Sequence, residues 1–62
     1  MSIGMKLKAL RGRRTQQEVA DKVGITKSAL AMYERDKRVP RDEIKVKLAA
    51  FYGETVQSIF FS

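Results

Sequence analysis

The chain contains no cysteine and no histidine. Disulfides are thereby excluded, and so are the usual zinc sites, which draw on thiolate and imidazole. The same absences remove the commonest catalytic base and the strongest side-chain nucleophile. Asp42 and Glu43 are adjacent carboxylates, but they fall at the start of a helical segment, where a structural role suffices. There is no glycine-rich phosphate loop. No catalytic constellation is left, so neither an enzymatic activity nor a cofactor is expected. No apolar run approaches the ~20 residues that a membrane span needs. The start, Met1-Ser2-Ile3-Gly4-Met5-Lys6, lacks the apolar core of a secretory signal. A cytoplasmic protein with no membrane partner is expected.

What is present is a short, basic, foldable chain. Its 62 residues are 44% hydrophobic and 32% charged, values of a folded domain rather than a disordered tail. So small a core must be stabilised by helix packing, with or without dimerisation. Thirteen Lys and Arg stand against seven acids, a net charge of +6. With a pI near 10.1, that excess fits a nucleic-acid partner. Charge alone also fits binding to anionic lipid, or plain solubility.

Hydrophobic spacing predicts five helices and no sheet. In the first segment, about residues 2–11, Ile3, Leu7 and Leu10 fall at i, i+4 and i+7. Gly12-Arg13-Arg14 closes it. Thr15-Gln16-Gln17-Glu18 is a capping box that opens the second helix, with Val19, Ala20 and Val23 inward. Gly24 sits where a helix end wants a left-handed residue. Thr26 is the N-cap of a third helix over residues 27–35, with Ala29, Leu30 and Tyr33 inward. Pro40 marks the start of the fourth, where Asp42 and Glu43 suit the helix dipole and Ile44, Leu48, Phe51 and Tyr52 form the apolar stripe. Gly53 ends it. Thr55 caps a short fifth helix with Val56, Ile59 and Phe60 inward, and Phe61 is one apolar residue too many for that face. Alternation at period two occurs only at residues 44–48, where Ala49-Ala50 continues it as a helix.

The informative stretch is residues 16–34. Two short helices meet at the tight turn Gly24-Ile25-Thr26. Small Ala20 permits close approach of the helices, and Gly24 frees the turn from a Cβ clash. With Leu30 and Tyr33 pinned inward, the second of the pair projects Lys27, Ser28, Ala31, Met32 and Arg35. That face is short-chained in the middle with a cation at either end. It suits a helix inserted in a groove, where Lys27 and Ser28 at its N-terminal end can reach base edges.

This stretch resembles the helix-turn-helix of the lambdoid phage repressor and Cro family, also called the Xre family. The turn glycine, the small residue four before it and both inner apolar positions occur in register, and the likeness extends through residues 38–61. The resemblance implies a lambda-repressor-like, all-α DNA-binding domain, a single helix-turn-helix unit over residues 1–62. It implies a dimeric regulator, in the first place a repressor of phage or mobile-element type. Such a protein binds a palindromic operator in double-stranded DNA through the major groove. Residue by residue, it implies base contact for Lys27 (on guanine O6 and N7), Ser28 and Met32 (on a thymine methyl or a backbone sugar). Gln16 would bind phosphate and buttress Lys27. Lys37 and Arg38, with the amides of their loop, and Arg41 would bind further phosphates. Arg11 and Glu34 match an ion pair beside the DNA backbone. The last helix, through Val56, Ile59, Phe60 and Phe61, would form the two-fold contact of a homodimer. A bacterial or phage-encoded protein, on the nucleoid when bound, is implied too. One departure is the short connection between Arg11 and Gln16, where Arg13-Arg14 replaces a hydrophobic residue. It brings positive charge, Arg14 above all, to where phosphates would pass.

Each residue has a plainer reading. Lys27, Ser28 and Met32 could be a solvated helix face, and Gly12-Arg13-Arg14 a charged turn. Lys6, Lys8, Lys22, Lys45 and Lys47 read as solvated. Tyr33, Phe51 and Tyr52 read as core, which leaves no stacking platform for single strands. Two rival functions stand beside the regulator. One is a protein-interaction module, antitoxin-like or anti-regulatory, using the apolar last helix. The other is non-specific nucleic-acid binding by charge alone.

Overall fold

The computed structural model describes residues 1–61; Ser62, the last residue of the expected domain, lies outside the described residues. Five helices follow one another: α1 (Ile3–Arg11), α2 (Gln16–Val23), α3 (Lys27–Glu34), α4 (Asp42–Tyr52) and α5 (Val56–Phe60). There is no strand among the described residues. The arrangement is the five-helix, all-α fold expected from the spacing, and it is consistent with the lambda-repressor-like fold that the resemblance implies.

The helix starts are set locally. Thr15 Oγ1 accepts from the Glu18 amide at 3.1 Å, and Glu18 Oε1 accepts from the Thr15 amide at 3.2 Å, so the capping box at α2 is complete. Thr26 accepts from the Ala29 amide at 3.0 Å, and Thr55 from the Ser58 amide at 2.9 Å. Ser2 is the N-cap of α1 rather than its first residue, and Arg35 is the C-cap of α3 rather than its last turn. Helix α4 starts at Asp42 after Arg41, with no side-chain cap; buried Pro40 lies two residues before it. Gly24 has φ 84°, which lets the chain leave α2 and turn at once into α3.

Every helix contributes to the core. Leu7, Val19, Leu30, Leu48 and Ile59, from α1 to α5 in order, are the largest fully buried side chains. The helices close a ring: α1 packs on α3 and α5, α2 on α3 and α4, and α4 on α5. Ala20 is fully buried, where its small side chain lets α2 and α3 approach. The pinned inner face of α3 is Leu30 and Tyr33; Ala29, expected inward, is half-buried.

The first turn of α1 lies close against the end of α3. A Cβ built on Gly4 would lie 2.5 Å from the Glu34 carbonyl oxygen, so only glycine allows this approach. At the other end of the chain, Lys6 Nζ donates to the carbonyl oxygens of Ser58 and Ile59, both at 3.3 Å, near the C-terminus of α5. Lys45 Nζ stands 4.8 Å from the Phe61 ring centroid and 5.7 Å from that of Phe60. Both lysines, expected to be solvated, act in the packing of α5.

Candidate nucleic-acid interface

Helix α3 presents the expected outer face. Lys27 and Ser28, in its first turn, are exposed, as is Arg35 just past its end; Ala31 and Met32 are half-buried. The inner face is fixed because Leu30 is fully buried and Tyr33 is 7% exposed. Met32 therefore stands at the margin of the exposed face rather than at its centre.

Beside this helix lies an open cleft of about 540 Å³, lined by Lys8, Arg11, Thr15, Gln16, Gln17, Lys27, Glu34 and Arg35. It brings Gln16 and Lys27 together, with Lys8, Arg11 and Arg35 adding positive charge. The floor is a buried carboxylate. The Glu34 side chain, 3% exposed, accepts from Arg11 Nε at 2.8 Å and Nη2 at 3.2 Å, and from Gln16 Nε2 at 3.0 Å. The bidentate geometry is the strong form of this pair. The Glu34 hydrogen bond raises the Arg11 pKa above its ordinary value against the opposing effect of burial. Arg11 and Glu34 thus form the expected ion pair despite the short connection to α2. Gln16 is oriented by Glu34, a partner that helical spacing alone could not reveal.

The other expected backbone-contact residues lie outside the cleft. Lys37 and Arg38 are exposed on the loop from α3 to α4. Arg41 precedes α4 and lies 3.9 Å from Glu43, both side chains largely exposed, a pairing of little energetic weight. Arg14 is engaged within the fold. Its guanidinium carbon stands 5.1 Å from the Phe51 ring centroid and 5.5 Å from that of Tyr52. Its nitrogens donate to the carbonyls of Leu10 at 2.9 Å and Arg11 at 3.2 Å, closing the turn after α1. The two aromatic rings of α4 are the reason Arg14 folds back.

Those rings meet edge to face, 5.2 Å apart. The Tyr52 hydroxyl is buried with no hydrogen-bond partner among the described residues, and burial raises its pKa above the usual phenol value. Removing an unpaired buried hydroxyl costs no bond. Tyr52→Phe is therefore expected to leave the melting temperature unchanged or raise it; a drop in a thermal melt would reveal a partner for that oxygen.

The four expected dimer residues differ in exposure within the single chain. Ile59 is 2% exposed and Phe60 7%, so both side chains already serve the core of one chain, and contact through them would require opening it. Val56 is half-buried, while Phe61 is 59% exposed.

Two groups had no reading in the sequence. Gly4 Nα–H donates to Asp36 Oδ1 at 2.9 Å across 32 residues of chain. The Ser2 hydroxyl, and then this amide, hold the Asp36 carboxylate below the ordinary range. With its folded pKa lowered, Asp36 contributes stability above the usual carboxylate range, lost as pH falls through the lowered value. The available signals were a lone glycine inside a helical segment and an aspartate just past a helix end.

An exposed recognition-type helix, anchored on its inner side and flanked by a basic cleft, defines a helix-turn-helix nucleic-acid binder. The helix-turn-helix family model matches residues 7–59, and the chain belongs to that family, in its Cro and Xre type. The family is one of DNA-binding transcription regulators. No curated protein matches the chain. No helix among the described residues is long and apolar enough to cross a membrane.

Proposed function

We propose that residues 1–62 act as one helix-turn-helix unit, a non-enzymatic repressor of phage or mobile-element type. It binds a near-palindromic operator as a homodimer. One α3 helix enters each major groove, with half-sites about 34 Å apart. The observation that carries this reading is the placement of Lys27 and Ser28. They are exposed in the first turn of a helix whose far side is locked by Leu30 and Tyr33. Lys27 and Ser28 read bases, and Met32 touches the groove wall. Gln16 binds phosphate at the cleft, and Lys37, Arg38 and Arg41 bind phosphates on the far side of α3. Arg14, exposed beside the Phe51–Tyr52 pair, adds a further phosphate contact. The dimer contact centres on Phe61, with the exposed edge of Val56.

Selection of duplexes from a random library at near-physiological salt tests the reading. A two-fold symmetric consensus is expected. Lys27→Ala should weaken binding to it by roughly tenfold or more, the worth of one good base contact, and relax preference at one base pair. Arg38→Ala should weaken all sequences alike and flatten the salt dependence. An asymmetric half-site would remove the dimer. Failure to enrich any sequence would overturn specific reading.

A second reading, a protein partner for the last helix, rests on one observation. Phe61 is 59% exposed, and Val46, on the adjoining α4, is 58% exposed. Phe61→Ser separates the two: it should lower dimer affinity under the first reading and leave the monomer's DNA half-site contact intact.

A further inference from the structure

We infer that Asp36 is a positioning residue for DNA binding: its carboxylate ties the end of α3, and the basic loop that follows, to the first turn of α1. The inference rests on reading α3 as the helix that enters DNA.

Helix α3 ends in a Schellman turn. The Lys37 amide donates to the Met32 carbonyl at 3.0 Å and the Asp36 amide to the Tyr33 carbonyl at 3.2 Å. That turn requires left-handed backbone at residue 36, where φ is 60°. Helices α2 and α4 meet the same demand with Gly24 and Gly53. Asp36 is the one non-glycine residue with positive φ among those described. A Cβ is disfavoured there, so a side chain needs a compensating contact.

The contact is the bond from Gly4 Nα–H to Asp36 Oδ1 at 2.9 Å. Gly4 lies in the first turn of α1, where amides have no partner within the helix and the helix dipole favours an anion. The Ser2 hydroxyl, at the N-cap of the same helix, acts with this amide to hold the carboxylate below its ordinary pKa. Lys37 and Arg38 follow directly and are exposed. Fixing residue 36 fixes the direction in which that pair leaves α3. Without the tie, the loop would be ordered only on binding, and that ordering lowers affinity.

Simple electrostatics predicts the opposite sign. Asp36 is a negative charge among Arg35, Lys37 and Arg38, and its removal should tighten binding to a polyanion. The sign of the effect therefore decides. Binding of the full chain to its selected duplex, read by fluorescence anisotropy, is compared for wild type, Asp36→Gly and Asp36→Asn. Asp36→Gly keeps the left-handed turn and makes the chain more positive, yet it should bind about tenfold more weakly, the size of one charge-assisted hydrogen bond. Asp36→Asn keeps an acceptor oxygen and tolerates the left-handed region, and should recover most of that loss. Amide exchange of Gly4 should accelerate in Asp36→Gly while exchange at Leu30 and Leu48 stays as in wild type. Wild-type strength or tighter binding by Asp36→Gly overturns the positioning role alone. Unchanged Gly4 exchange overturns the tie. A wild type that enriches no duplex overturns the DNA reading and the positioning role with it.

Discussion

Glu34→Ala is expected to lower the melting temperature by more than ~15 °C. The carboxylate is 3% exposed and the Arg11 side chain 17%. Truncation therefore leaves a half-buried guanidinium at the cleft wall, with the Arg14 carbonyl, 2.8 Å from Nη1, as its one remaining partner among the described residues. Breaking such a pair from one side costs about 3–5 kcal/mol. A chain of 62 residues is stable by roughly 3–9 kcal/mol in total, so the variant loses most of what holds it folded. The asymmetry of the loss is the sharper test. Replacing both partners, Arg11→Met with Glu34→Leu, leaves no orphaned charge and should recover much of the stability. Gln16 loses its anchor in either case, but it is only half-buried and turns to water. Thermal melts of wild type, Glu34→Ala, Arg11→Met, Glu34→Leu and the double variant check this. Small, additive losses would show that the pair is a solvated contact. DNA affinity of the refolded double variant should stay low, because the cleft has lost a cation and Gln16 its orientation.

Local chemistry was legible in the sequence, and contacts between distant segments were not. The Thr15–Glu18 box, the Thr26 cap and the left-handed Gly24 each depend on residues within one turn of one another, and all stand where the spacing places them. The inward stripes were legible for the same reason, since a period of 3.6 sorts residues by face before any partner is known. Arg14 shows the limit. Its neighbours in sequence are charged and glycine, which suggests an open basic turn, whereas Phe51 and Tyr52 of α4 draw it back across the fold. Lys45 is the same case, placed on a polar face by its spacing and held there by the rings of Phe60 and Phe61. Phe61 was legible as a surplus residue because the short α5 already turns Val56, Ile59 and Phe60 inward. That surplus does not extend to Ile59 and Phe60, whose burial depends on how α5 settles against α1 and α4. The Arg11–Glu34 pair came from family resemblance; its partners are 23 residues apart, and no local rule joins them.

Gly4→Ala sets two effects of known sign against each other. Alanine is the better helix former by about 1 kcal/mol, and residue 4 is inside α1. Against this, the new Cβ would lie 2.5 Å from the Glu34 carbonyl oxygen, 2.8 Å from its carbon and 2.9 Å from Asp36 Oδ2. Two of those atoms are backbone at the end of α3 and cannot swing aside as a flexible side chain does. Helix α1 must therefore move off α3, which stretches the Gly4–Asp36 bond and disturbs the Arg11–Glu34 pair on the same two helices. Overpacking of this kind costs about 1–3 kcal/mol, occasionally more. With the coupled bonds the upper end applies and exceeds the propensity gain. A net drop in melting temperature of roughly 10 °C follows, with faster exchange at the Asp36 and Lys37 amides that close the α3 turn. A stabilised Gly4→Ala would mean that α1 is seated farther from α3 than 2.5 Å implies. The same experiment separates stability from function. Ala9, exposed on α1 away from this contact, accepts glycine at a cost near the propensity difference alone, about 1 kcal/mol. An Ala9→Gly variant should therefore lose some stability while keeping the loop and its basic residues in place. If DNA affinity tracks melting temperature in both variants, the α1–α3 seat matters only for folding. If Gly4→Ala loses affinity at a temperature where both variants are fully folded, the seat also orients the DNA-binding loop.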